Sequence, residues 1–424
     1  MAMNFWRGVA ALVLGMGSAI AQSPFAEGVS SLDTVAVLSL DTILARVEAR
    51  NPELKMWEFR AQGRVVAAAG AKAWMPPELA VGGSELPYGG ASDMTPGDPA
   101  MMLSARQMIP GPGKRAAQQR YLASLAEKER AEGKWMRAQM LADAKAQYFR
   151  LAESARKQAI LREAESVMAF MLEVAEVRFK LRRADMATVF EARARLKELK
   201  SMQAMEETMG RQAQSALTQL MASPDSGRFA ADTTVRLRGY AEAPGDIDLE
   251  KRGDIARIDK ELKSMELNLE VMRRQGRPDF GIQFDHMEMF EMGRRYSAMA
   301  MMTLPFAPWS SPMVRSDVKA MRRDIESMRS EREARRLMGR RMASEMLLML
   351  QNESAQFTLF NEGIAPTYRK SLDAAMAAYQ EGAGDLFRVL DTWDRWVMAR
   401  MQALEHLEKA LVLEAEYERE SGKL

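Results

Sequence analysis

From Lys114 to about Phe179 the chain carries no proline and a single glycine, Gly133. Apolar or small residues recur at every seventh position at Leu141, Tyr148 and Ala155, with Ala144 and Leu151 at the alternate spacing. This is the seam of a long helix packed along another helix. Arg162 interrupts the register, and the pattern resumes one residue early at Leu161, Met168 and Ala175, with Ala164 and Met171 between them. Such a slip moves the apolar seam around the helix without ending it. At about 1.5 Å per residue, roughly 65 residues make a helix of about 100 Å. That is too long for a compact domain, so the segment is expected to be a rod or the stave of a barrel.

A second segment of the same kind runs from Val314 to about Tyr379, interrupted only by Gly339, Gly363 and Pro366. Each reaches a polar turn, at Arg182-Arg183 and at Gly382-Ala383-Gly384, and a shorter helix follows, Met186 to about Met221 and Leu386 to about Glu420. The expectation is two long antiparallel helical hairpins. Ahead of each lies a different pattern. Residues 76–110 are rich in Gly, Pro, Ser and Asp, with short apolar runs at Glu78-Leu-Ala-Val-Gly and Ala100-Met-Met-Leu-Ser. In 278–305, Phe280, Ile282 and Phe284 alternate with Gly281, Gln283 and Asp285, and Tyr296 to Leu304 forms a second run. Strict alternation marks strands, so each region is expected to be a β-hairpin. Two hairpins cannot close a barrel alone, but several chains together remove every open edge.

The two halves repeat one another at a spacing of about 200 residues, too long for a solenoid. Phe179-Lys-Leu-Arg-Arg-Ala-Asp185-Met-Ala-Thr-Val189 matches Tyr379-Gln-Glu-Gly-Ala-Gly-Asp385-Leu-Phe-Arg-Val389. Asn51-Pro-Glu matches Arg252-Gly-Asp254, Met75-Pro-Pro-Glu matches Gly276-Arg-Pro-Asp279, and Ile109-Pro matches Leu304-Pro. Expected boundaries are a first repeat over 22–222 with its tip at 179–188, and a second over 223–424 with its tip at 379–388.

Residues 1–21 read as a secretory signal. Arg7 gives the positive start, Val9 to Ile20 is too short to span a bilayer, and Ala19-Ile20-Ala21 is a small-x-small cleavage site before Gln22. The chain has no cysteine, so it offers no disulfide, thiolate site or lipid-bearing Cys. Lys and Arg number 60 against 58 Asp and Glu, a balance that argues against nucleic-acid binding. With two histidines, no Gly-rich phosphate loop after a strand and no nucleophile beside a base, the sequence reads as architecture rather than as an enzyme. No cofactor is expected.

The motifs in their order resemble the TolC-like outer-membrane efflux family over nearly the whole mature chain. They are Leu40-Asp-Thr-Ile-Leu44 leading to Asn51-Pro-Glu-Leu54, Arg252-Gly-Asp254, the turns at Ile109-Pro110 and Leu304-Pro305, and the final helix from Asp385 through Leu404-Glu-His-Leu-Glu408. The resemblance implies a mixed α and β fold of duplicated helical hairpins and β-hairpins. As a homotrimer it would form a twelve-stranded outer-membrane β-barrel continued by a periplasmic α-helical barrel. Such a channel sits in outer-membrane lipid and conducts passively what an inner-membrane transporter and a periplasmic adaptor deliver. The resemblance places adaptor docking at the tips, on Phe179, Arg182, Arg183 and Ala184 of the first and Tyr379, Gly382, Ala383 and Gly384 of the second. Arg182 stands where the family's first tip usually has glycine. It also places a narrow aperture just past the second tip. Asp391 matches one position of its carboxylate ring and Arg388 occupies the other, so an ion-paired constriction is expected.

Thirty-six methionines change the picture once more. Thioethers suit Cu(I) and Ag(I), and His286-Met-Glu-Met-Phe-Glu-Met292 concentrates His286, Met287, Met289 and Met292. On a strand, however, Met287 and Met289 face one way and His286 and Met292 the other. Methionine also spreads through the long helices as a flexible core filler. Heavy-metal or drug efflux, a type I protein-secretion duct, and a periplasmic coiled-coil scaffold without a barrel all remain open on the sequence.

Overall fold

The computed structural model describes residues 36–84, 100–182, 185–223, 228–238, 249–289 and 293–424. The expected signal segment 1–21, Gln22, Arg183, Ala184 and Met292 lie outside them.

The same order of elements runs twice. In the first half β1 (Ala36–Leu38), α1 (Leu40–Arg50) and α2 (Pro52–Gly70) precede strands β2 (Glu78–Ser84) and β3 (Ala100–Ile109). Helices α3 (Lys114–Lys180) and α4 (Met186–Leu220) then form a hairpin. The second half has β4 (Phe229–Ala231), α5 (Gly253–Gln275), β5 (Phe280–Met289), β6 (Gly293–Met302), α6 (Ser311–Thr358), α7 (Ala365–Gln380) and α8 (Leu386–Glu420). Helix α3 has 67 residues, so its length is about 100 Å.

The register slip is visible in its burial. Leu141, Ala144 and Tyr148 are buried along the first seam, and Leu161, Ala164, Met168, Met171 and Ala175 along the second. The first group joins Ile43, Val47, Leu217, Leu407 and Leu411 in one core. The second joins Val189, Leu199, Leu372, Leu390, Trp393 and Trp396 in another, toward the hairpin tips.

Equivalent side chains close the two halves. Asn51 caps α2 by accepting from Glu53 N at 2.9 Å, and its amide donates to Leu220 O at 3.0 Å, at the end of α4. Arg252, at the start of α5, donates to Glu420 O at 3.4 Å, at the end of α8, and also pairs with the Glu420 carboxylate and with Asp254. Gly339 on α6 exists for this guanidinium, since a Cβ there would lie 2.8 Å from Arg252 Cζ.

Two features were not expected from the sequence. Strands β1 and β4 pair in parallel over three residues each, tying the halves together. In the second long segment, Leu359–Ile364 is a π-helical turn between α6 and α7. Pro366 cannot donate a hydrogen bond, and the widened turn absorbs this without stopping the rod.

Candidate functional site

Strands β2, β3, β5 and β6 form one antiparallel sheet in that order, so β2 and β6 are its free edges. Alternation gives it two unlike faces. One carries Leu79, Val81, Leu103, Phe280, Ile282, Phe284, Tyr296 and Met302, all large, apolar and exposed. Leu103 stands opposite His286 and His286 opposite Tyr296, so His286 belongs to this face. The other face is hydrogen-bonded. Ser104 Oγ donates to Asp285 at 2.6 Å, Ser297 Oγ at 3.0 Å and Gln283 at 2.8 Å, and Arg106 donates to Gln283 at 2.9 Å. Strands of ten residues match the thickness of a bilayer. Where the strands meet the helices, Trp74, Phe306 and Trp309 are exposed, and Trp309 is 86% so. Aromatic residues take this place at a membrane interface.

The His286–Met292 segment does not make one site. Met287 stands opposite Met102 and Met289 opposite Ala100, on the hydrogen-bonded face, away from His286. Among the described residues no group of three His, Asp or Glu is placed to hold a metal ion.

The junction between sheet and helices turns on Asp279. Its carboxylate accepts from Gly111 N at 2.7 Å and pairs with Lys114 at 2.8 Å, while its backbone N donates to Thr303 Oγ1 at 2.8 Å. Arg277 donates to Pro112 O at 2.9 Å. One aspartate thus links the start of α3, the start of β5 and the end of β6.

At the far end the two tips have matching caps. Asp185 accepts from Ala187 N at 3.4 Å and Asp385 from Phe387 N at 3.2 Å. The residue that leaves each preceding helix is left-handed, Arg182 at φ 57° and Gly382 at φ 80°. A non-glycine residue pays about 1 kcal/mol or more in this region, so Arg182 holds a conformation that its counterpart adopts freely. Phe179, Arg182, Gly382 and Ala383 are exposed and Gly384 half-buried. The Tyr379 ring, by contrast, is buried. Arg178 lies over that ring at 3.8 Å and donates to Tyr379 O at 2.8 Å, joining the ends of α3 and α7. Beneath them is an apolar cavity of about 130 Å³ lined by Phe170, Met171, Val174, Met376 and Leu386.

The expected Arg388–Asp391 pair is not formed. Asp391 pairs instead with Arg395 one turn on, at 3.2 Å, and Arg388 is exposed. Asp391 lies N-terminal to Arg395 but C-terminal to Arg388, and the acid-first order is the more favourable one on a helix.

A missed feature is the buried charge along α3. Glu153 is fully buried, with Arg156 donating to it at 2.6 Å, and Lys157 pairs with Glu408 at 3.0 Å. Burial, with a smaller push from Glu408, raises the Glu153 carboxyl to about 7 against the pull of Arg156 and Lys157. The folded protein therefore holds this proton more tightly than the unfolded chain. Stability from it is present below about 4.5 and is lost as pH rises through about 7. Glu153→Gln is expected to raise the thermal midpoint at pH 8, by an effect of roughly 3 kcal/mol, and to change little at pH 4. Melts of both proteins at the two pH values check this; equal midpoints at pH 8 would show that the carboxylate is not strained.

No protein-family model and no curated protein sequence matches the chain. Solved structures do. An outer-membrane channel, CmeC of Campylobacter jejuni, is 14% identical, with 90% of this chain and 85% of that one covered and a TM-score of 0.75. The outer membrane protein VceC of Vibrio cholerae is 15% identical, covering 90% and 96%, at a TM-score of 0.71. CusC, described by its transmembrane channel formation, is 15% identical, covering 94% and 95%, at 0.76. These likenesses show the fold: duplicated helical hairpins rising from a shared sheet, as in the TolC-like outer-membrane channels.

Proposed function

We propose that three copies of this chain form the outer-membrane exit duct of a tripartite efflux system. The observation that carries this reading is the two-faced sheet. Its exposed apolar face has no core to cover it, and lipid is the solvent in which such a face is stable. Its free edges, β2 and β6, would leave unpaired backbone groups in lipid unless neighbouring chains joined them. Three chains supply a closed ring of strands, and their hairpins a closed ring of helices about 100 Å long. The channel fold of the solved structures supports the same arrangement. Transport is passive, with an inner-membrane transporter as the energy source and a periplasmic adaptor at the tips.

The tips support the docking part of the reading through their exposed apolar side chains, Phe170, Val177, Phe179, Leu181, Phe190 and Phe387. Arg388 and the Asp391–Arg395 pair follow the second tip, where an aperture would narrow. Gly382→Arg tests docking at a backbone strain of about 1 kcal/mol. A Cβ at Gly382 meets nothing within 4 Å, and Arg182 already occupies the equivalent left-handed position in the first tip. The variant is expected to fold, to migrate as a heat-sensitive trimer and to lose most efflux in cells. Full efflux would remove the second tip from adaptor binding.

A further inference from the structure

The hydrogen-bonded face of the sheet also carries thioethers. Met108 and Met301 flank Gly281 on neighbouring strands, and Met102 stands opposite Met287 on the same face. A Cβ at Gly281 would lie 2.7 Å from Met108 Sδ and 3.4 Å from Met301 Cε, so the absence of a side chain there lets both thioether arms lean over β5. Met108 also borders a cavity of about 340 Å³ that Met75 and Lys114 line. The Lys114 charge there is paired with Asp279 at 2.8 Å. The two thioether rungs lie about 20 Å apart along β5, with Asp285 between them.

In a barrel the water-filled side is polar, and an apolar thioether on it gains neither lipid nor core burial. Soft thioethers do suit soft monovalent cations, and they bind without a formal charge. Asp285 holds its oxygens on Ser104, Gln283 and Ser297, so it attracts a cation more than it ligates one. A neutral site on a face where Asp285 and Arg106 sit side by side binds weakly enough for exit as well as entry, as conduction requires. Arg295 lies on the register of Met102 and Met287, whereas the nearest cation to the Met108–Met301 rung on this face, Arg106, is one rung away and held by Gln283 and Glu78. That makes the rung at Gly281 the stronger of the two.

We propose that Met108 and Met301, converging over Gly281, form a transient site for Cu(I) or Ag(I) on the water face of the channel wall. The proposal rests on the channel reading above. Filler methionine makes the opposite prediction, because leucine fills the same space without binding the ion.

The test is calorimetric titration of Ag(I), in nitrate buffer, into the purified full-length protein and its Met108→Leu/Met301→Leu variant. Conductance of both in planar bilayers is recorded in potassium nitrate. The expected result is unchanged conductance with the strongest Ag(I) site lost or weakened at least about tenfold. Equal Ag(I) binding by both proteins, or none by the unsubstituted protein, would overturn the site. Methionine-dependent binding without any conductance would instead sink the channel reading and leave the site standing.

Discussion

Ala298→Arg is expected to keep the protein out of the outer membrane, whereas Ser297→Arg, one residue earlier, is tolerated. The two positions differ only in the face they occupy. Ala298 is exposed and stands opposite Phe284, midway along the apolar face, with Ala105 beyond it. An arginine on the lipid side of a barrel costs about 2–4 kcal/mol at the midplane, and a trimer would carry three. Ser297 stands opposite Asp285 and donates to its carboxylate at 3.0 Å. A guanidinium there meets a carboxylate and water. Fractionation of cells followed by gels of unheated samples reads the outcome as membrane-inserted trimer. Equal recovery of the two variants in the membrane would show that the alternating faces do not reflect lipid and lumen.

Gly111→Ala, in the turn between β3 and α3, is expected to be strongly destabilising. Its Cβ would lie 2.2 Å from Pro278 O, a backbone atom held in place by the Arg277 and Asp279 contacts. Relief requires moving the turn, which would stretch the Gly111–Asp279 hydrogen bond and disturb the Lys114 pair. Overpacking of this kind costs about 3 kcal/mol. The control is Gly63→Ala in the middle of α2, where a Cβ meets nothing within 4 Å. It is expected to stabilise by about 0.5–1 kcal/mol, because alanine loses less freedom than glycine in a helix. The midpoint of thermal unfolding measures both. A harmless Gly111→Ala would mean that the sheet and the helices are not locked together at this turn.

The long helices were legible because their period persists over many turns. Even the slip at Arg162 could be read, since burial changes from the Leu141–Tyr148 seam to the Leu161–Ala175 seam where the sequence moves by one residue. The strands were legible for the same reason at a period of two. Pairing over three residues, as in β1 and β4, is too short to leave a period, and nothing local marks it. The π-helical turn was half legible: Gly363 and Pro366 signalled an interruption, but not that backbone widening would absorb it. At the tips, the sequence singled out Arg182 against Gly382, and the backbone gives that contrast its content as a shared left-handed position. It could not tell that the Tyr379 ring turns inward beneath Arg178, because the partner lies about 200 residues away in the chain. It paired Asp391 with the wrong arginine, since two candidates on one helix differ only in rotamer and reach. Glu153 gave no signal, as a glutamate on a helix is usually solvated.

In the duct proposed above, neighbouring chains would join the free edges of the sheet into one closed barrel. The absence of cysteine makes this directly measurable. Val81→Cys on β2 would be combined in turn with Tyr296→Cys, Ala298→Cys or Ala300→Cys on β6, all on the apolar face. A disulfide forms only where Cα atoms approach to about 4.4–6.8 Å, so it reports the register of the two edges. The expected result is a covalent trimer on non-reducing gels at one of the three pairings and monomer at the others. Monomer at all three, in protein recovered from the soluble periplasm, would contradict the closed barrel.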